Sequence, residues 1–159
     1  MKIGIISDTH DNIPKIYSAV EIFKKECVDF VIHAGDIIAP FSVAPFMQMG
    51  IEWRAVFGNN DGERKGLAEK SAGRITDQPL DLILADRRIM VVHEPGNIRD
   101  QDYLDHDVIV YGHTHRKEIS RRGQTLVINP GEACGYLTNM ATLAILDTDS
   151  LSARFLEIK

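Results

Sequence analysis

Residues 2–36 read KIGIISDTHDNIPKIYSAVEIFKKECVDFVIHAGD, and their order decides the fold. Lys2–Ser7 is a short Ile-rich run closed by a polar cluster, which predicts a buried strand. Between Pro14 and Lys25 the apolar residues Ile16, Tyr17, Val20, Ile22 and Phe23 recur at helical spacing. Asn12 is placed to cap that helix, and Pro14 falls in its first turn. Asp29–Ala34 predicts a second strand. Strand, helix, strand implies parallel pairing through a right-handed crossover.

Working outward, Pro40–Met49 predicts a second helix, Glu52–Phe57 a third strand and Glu63–Ser71 a short helix. The rhythm then changes. Leu80–Leu84 and Arg88–Val92 predict two strands joined at Asp86-Arg87, and Val108–Tyr111 another. Glu118–Arg121 and Thr125–Ile128 flank a turn containing Gly123, a hairpin signal. Leu143–Leu146 and Arg154–Glu157 close the chain. An α/β first half running into a β-rich second half predicts a layered sandwich of two sheets with helices outside.

Composition narrows the classes. The 159 residues are 44% hydrophobic and 26% charged, which fits a folded domain and excludes disorder or a collagen-like chain. One domain over 1–159 is expected from the length. Eighteen basic against 23 acidic residues give a net charge of −5, and the basic pairs are scattered. Such a chain has no track for a long nucleic acid. Two cysteines without a CxxC argue against a thiolate zinc site and a disulfide framework. The apolar run Ile3–Ile6 is too short for a signal sequence, and no stretch approaches the ~20 apolar residues of a membrane span. A cytoplasmic protein is expected.

The polar residues fall in a pattern. Asp8 and His10 follow the first strand, Asp36 the second and Asn59 the third. His93 follows Ile89–Val92, and His113 and His115 follow Val108–Tyr111. Five strands therefore deliver Asp, His and Asn at their carboxyl ends, the edge at which open α/β sheets bind ligands. Seven oxygen and nitrogen donors, none of them sulfur, suit borderline or hard divalent metals. Seven exceed what one ion takes and match two ions sharing a bridging carboxylate. Singly, each has an ordinary structural reading: Asp8 as a turn residue, His93 as a satisfied buried histidine. The joint pattern points to metal.

D-x-H, G-D, G-N-x-[DE], H and G-H-x-H occur here in order from Asp8 to His115. This set resembles the calcineurin-like metallophosphoesterases. It is similar in particular to their short single-domain phosphodiesterase branch, which includes the phosphoesterase-like subunit of the retromer coat. Asn129-Pro130-Gly131-Glu132 also looks like this branch. The resemblance implies a four-layer α/β/β/α sandwich of two mixed sheets. It implies one metal held by Asp8, His10, Asp36 and His115, and a second held by Asp36, Asn59, His93 and His113, with Asp36 bridging. Mn²⁺ is the expected ion, with Ni²⁺, Fe²⁺ and Zn²⁺ as alternatives.

The implied chemistry is phosphodiester hydrolysis by hydroxide held between two metals. Metals ~3.5–4 Å apart lower the pKa of bound water and clamp an in-line displacement. Two positions depart from the family. Asn60 stands where many members carry a histidine, so it can donate a hydrogen bond but cannot act as a general acid. Glu94-Pro95 replaces a common glycine, and Glu94 reads as a rim residue, with a supporting group or a replacement for the missing acid as the alternative. Asp61 either supports a ligand histidine or caps the helix near Glu63. His33 reads as a strand residue beside the Gly35-Asp36 turn or else as a support for a metal ligand, His106 as surface, Cys27 as a helix-end or core residue, and Cys134 as structural with a place near the site as the alternative.

The expected substrate is a small phosphodiester, since so short a chain leaves little sequence for a cap over the site. Two alternatives accompany this reading. One is a phosphomonoesterase. The other is a protein-interaction scaffold on the same fold, for which Phe41, Phe46 and Met47 could supply an apolar patch. A homodimer through an exposed strand or helix is compatible with the sequence.

Overall fold

A computed structural model describes residues 1–159. β1 (Lys2–Ile6) leads into α1 (Ile13–Glu26) and returns as β2 (Phe30–His33). A 3-10 turn at Pro40–Val43 precedes α2 (Ala44–Gln48), then β3 (Glu52–Val56), α3 (Arg64–Lys70) and β4 (Ile75–Thr76). The chain continues through β5 (Leu80–Leu84), β6 (Arg87–Val91), a 3-10 turn at Pro95–Asn97, α4 (Asp102–Asp105) and β7 (Val108–Val110). It ends with β8 (Glu118–Arg122), β9 (Thr125–Asn129), β10 (Thr142–Asp147) and β11 (Ser152–Glu157).

α1 starts where its residues dictate. The Asn12 side chain accepts from the Lys15 amide at 3.4 Å and Pro14 lies in the first turn. Lys24 and Lys25 occupy the last turn, where cations oppose the helix dipole. Ile16, Ala19, Val20 and Phe23 form its buried face. The single helix expected over Pro40–Met49 is instead a 3-10 turn followed by α2. Pro45 has no N–H to continue a helix begun at Pro40, so the α-helix restarts with it in the first turn. β4 and α4, at two and four residues, were too short to register as patterns.

The strands form two mixed sheets flanked by four helices, the architecture the sequence implied. The first has the order β11-β10-β1-β2-β3-β4, with β1 to β4 parallel and β10 and β11 antiparallel. The second has the order β5-β6-β7-β9-β8, with β6, β7 and β9 parallel between antiparallel edges.

Three apolar layers follow from the strand period of two. Ile3, Ile5, Ile32 and Val56 of the first sheet meet Ile89, Val91, Val108 and Ile128 of the second. On the outer side of the first sheet, Val31, Trp53 and Ile145 pack against Phe23, Phe46 and Leu67 of the helices. Met90, Ile109 and Val127 line the outer side of the second sheet, against Ile98 and Tyr103. The carboxyl ends of β1, β2, β3, β6 and β7 therefore meet along one edge. No helix is long and apolar enough to cross a membrane.

Candidate metal centre

All seven donors predicted from sequence lie on the loops at that edge. Asp8, His10, Asp36, His113 and His115 adopt left-handed backbone, with φ between 39° and 66°. Asp and His tolerate this region better than most residues, but it costs energy and clusters at functional sites. The loops are laced together: the Asp8 amide donates to Gly35 O at 3.0 Å, and Thr9 and His10 both donate to Asp36 O.

Asp36 is the centre of the cluster. It is 1% exposed, and both its carboxylate oxygens are engaged by Asn60, from the backbone amide at 2.9 Å and from the side-chain amide at 2.7 Å. His93 Nε2 and His10 Nε2 lie 3.4 and 3.6 Å from Asp36 Oδ2. Burial opposes ionisation of Asp36, but hydrogen bonds from His93 and Asn60 outweigh it and hold the carboxyl well below its usual range. Burial likewise opposes charge on His93, and the Asp36 contact outweighs it and raises that imidazole.

Asp8 is fully buried. Its Oδ2 accepts from the His113 amide at 3.2 Å, while His115 Nε2 and His10 Nε2 lie 3.4 and 3.9 Å from its Oδ1. Neither Asp8 Oδ1 nor His10 Nε2 has a hydrogen-bond partner, although both atoms are buried. Burial pushes the Asp8 carboxyl up. Asn59 completes the other side: its Oδ1 lies 2.9 Å from both His93 Nε2 and His113 Nδ1. Two ligand-competent triads result, Asp8–Asp36–His93 and His10–His115–Cys134.

Supporting groups aim the histidines. His93 Nδ1 donates to Ala34 O at 2.8 Å, which turns the Nε2 edge of the ring toward Asp36 and Asn59. Gln78 Oε1 accepts from the amides of His93 and Glu94, a role that no sequence motif announced. His115 Nδ1 donates to Glu132 at 2.7 Å. Glu132 is fully buried and also accepts from the Leu137 and Thr138 amides, the Thr138 hydroxyl and the Cys134 thiol. Burial works against its charge, but these donors hold it down to about 2. Burial and Glu132 push the Cys134 thiol up to about 12. The sequence marked Glu132 only through the Asn-Pro-Gly-Glu resemblance, without a role.

Asp61 does neither of the two things considered for it. Its carboxylate accepts from the backbone amides of Asp36, Ile37, Ile38 and Gly58, which clamps the β2 and β3 loops together. The Asn60 side chain, on an exposed residue, donates to Asp36. His106 is remote, bonded to Asp102 O and Asp81. His33 lies beneath the loops: its Nδ1 accepts from the Gly35 amide at 3.1 Å and its Nε2 meets the Thr9 hydroxyl at 3.1 Å.

Close packing explains Gly58. A Cβ there would land on the Asp36 carboxylate and backbone nitrogen. Gly58→Ala is expected to destabilise the fold by ~1–3 kcal/mol, as overpacking does. At Gly62 nothing lies within 4 Å of a Cβ, so Gly62→Ala is the control. Urea unfolding of the two variants checks this, and equal midpoints would contradict it.

The sequence pattern of the calcineurin-like phosphoesterase superfamily domain matches residues 1–151. Phosphodiesterase MJ0936 of Methanocaldococcus jannaschii is 39% identical over 165 aligned positions, covering 97% of each chain. A solved archaeal phosphodiesterase superposes with a TM-score of 0.86 at 39% identity, over 99% of both chains. Vps29 of Chaetomium thermophilum superposes with a TM-score of 0.70 at 17% identity, over 99% of this chain and 94% of its own, a likeness of fold alone.

Proposed function

The chain belongs to the calcineurin-like phosphoesterase superfamily, and from that premise we propose that it is a divalent-metal-dependent phosphodiesterase acting on small phosphodiesters. One cation would be held by Asp8, His10, Asp36 and His115, and a second by Asp36, Asn59, His93 and His113. The observation that carries this reading is the pair of buried, unpartnered atoms, Asp8 Oδ1 and His10 Nε2. An unsatisfied buried polar atom costs ~1–3 kcal/mol, and a cation beside both removes that cost. A scaffold has no use for such a cost.

Bound divalent cations supply positive charge for the phosphoryl oxygens and acidify water. The chain's own residues do the rest. Asp36 would be the shared ligand, and Asn60 fixes both its oxygens. Ala34 O and Glu132 set the tautomers and ring planes of His93 and His115. Asp61 holds the two loops at a constant separation. The seven proposed donors, all oxygen or nitrogen, support Mn²⁺ over softer ions. Two free cysteines fit a reducing, cytoplasmic setting.

The test is hydrolysis of bis(p-nitrophenyl) phosphate beside p-nitrophenyl phosphate. Metal-stripped protein would be reloaded with Mn²⁺, Ni²⁺, Mg²⁺ or Zn²⁺, with His115→Ala as control. Metal-dependent diester turnover that the variant lacks supports the reading. No turnover of either ester in protein that retains metal overturns it.

Asn60 leads to a second expectation. The Asn60 amide donates to Asp36 and is too weakly acidic to protonate a leaving alkoxide, and general acid catalysis is worth ~10²–10⁴-fold where present. Across a series of aryl phosphodiesters the rate is expected to rise steeply with leaving-group acidity. A flat dependence would show that another group supplies the proton.

A further inference from the structure

The chain carries a net charge of −5, yet a groove of ≈ 270 Å³ opening beside His115 is lined by no acidic residue. Its walls are His115, Arg116, Lys117, Thr138, Met140 and Thr142. The two hydroxyls are already committed, Thr138 Oγ1 to Glu132 and Thr142 Oγ1 to Pro130 O. Arg116 and Lys117 are not. Neither pairs with a carboxylate; Lys117 Nζ rests 3.4 Å from Met140 Sδ and 5.5 Å from the centre of the Phe155 ring. Those contacts leave the charge of the exposed ammonium unneutralised.

Arg116 follows His115 directly, so the groove begins at a residue assigned above to one of the metals. A phosphodiester centred there must send one of its two arms along an available surface. The surface next to His115 offers two unneutralised cations and committed neutral groups. Apolar arms gain nothing from those charges, while an anionic arm gains charge-assisted hydrogen bonds from a guanidinium and an ammonium.

We infer that this groove is a subsite for the non-leaving arm of the substrate, and that it selects phosphodiesters carrying a further anionic group on that arm. The inference rests on the phosphodiesterase reading and names the substrate class for it. The shared chemistry is a carboxylate or a second phosphate-type group within reach of Arg116 and Lys117.

Three p-nitrophenyl diesters with the same leaving group test it: phenyl, 4-carboxyphenyl and 4-phosphonophenyl p-nitrophenyl phosphate. In the wild-type protein loaded with metal, the charged esters are expected to exceed the phenyl ester in kcat/KM by ~10-fold, equivalent to one well-placed charged contact. The gain is expected in KM and should shrink as salt is raised. The double variant Arg116→Gln, Lys117→Gln is expected to bring the ratio to about one, while Arg116→Lys retains part of it. The larger ratio of the two charged esters identifies which anion the groove prefers. A wild-type ratio near one, or a ratio unaltered in the double variant, overturns the subsite and leaves the phosphodiesterase standing. Absence of turnover of all three esters in the wild type overturns both.

Discussion

Asp36→Asn is expected to lower kcat/KM for bis(p-nitrophenyl) phosphate by roughly 10³-fold or more. The reasoning is electrostatic. Asp36 is the one residue that both His10 and His93 approach, at 3.6 and 3.4 Å. An amide of the same shape keeps most of the local packing but removes the negative charge that two cations would share. Metal-borne charge stabilisation is worth several kcal/mol, and each 1.36 kcal/mol is tenfold in rate. Metal content should fall with activity, from two ions per chain toward one or none. The fold should survive, because Asp61 still ties the β2 and β3 loops together through four backbone amides when the Asp36–Asn60 bonds are weakened. Circular dichroism and metal analysis on the purified variant separate the two effects. Full activity with two bound ions would remove Asp36 from the bridging position.

Most of the fold was legible because its signals are local and periodic. The Ile-rich run of β1, the helical spacing of α1 and the apolar core of β2 each declare themselves within a few residues. The donors were legible for a related reason, since each follows a strand that the hydrophobic pattern had already located. Less legible were features set by contacts across the chain. The carboxylate of Asp61 meets four backbone amides from two loops, and no spacing in the sequence encodes that. Glu132 lies 17 positions from His115, yet orients its ring. The left-handed backbone at five of the seven donors is also invisible in sequence, because Asp and His occur in many conformations. The break at Pro45 was readable in principle: proline at the second position of a helix signals a start, and the longer helix ignored it.

His33 should make stability fall as the solution is acidified well above the range where carboxylates titrate. It is fully buried, and burial first and the neighbouring His93 second lower its pKa from 6.5 to about 3. In the unfolded chain it binds a proton below 6.5; in the folded chain it stays neutral until about 3. Between those values the unfolded state holds more protons, so stability rises with pH, and the contribution is complete above 6.5. A unit of pH in this window is worth ~1.4 kcal/mol, so going from pH 7 to pH 5 should cost about 2 kcal/mol from this residue. The hydrogen bonds show why it stays neutral: Nδ1 accepts from the Gly35 amide, so it cannot also carry a proton. His93 has the opposite sign, since its raised pKa adds stability as pH falls. A difference measurement cancels it. His33→Asn keeps an acceptor near the Gly35 amide but has nothing to titrate. Urea unfolding of metal-free wild type and variant at pH 7, 6 and 5 should show the variant less stable at pH 7 and the gap closing by about 2 kcal/mol at pH 5. A gap that stays constant would mean that His33 takes up its proton in the folded protein, with the Gly35 amide bond given up to allow it.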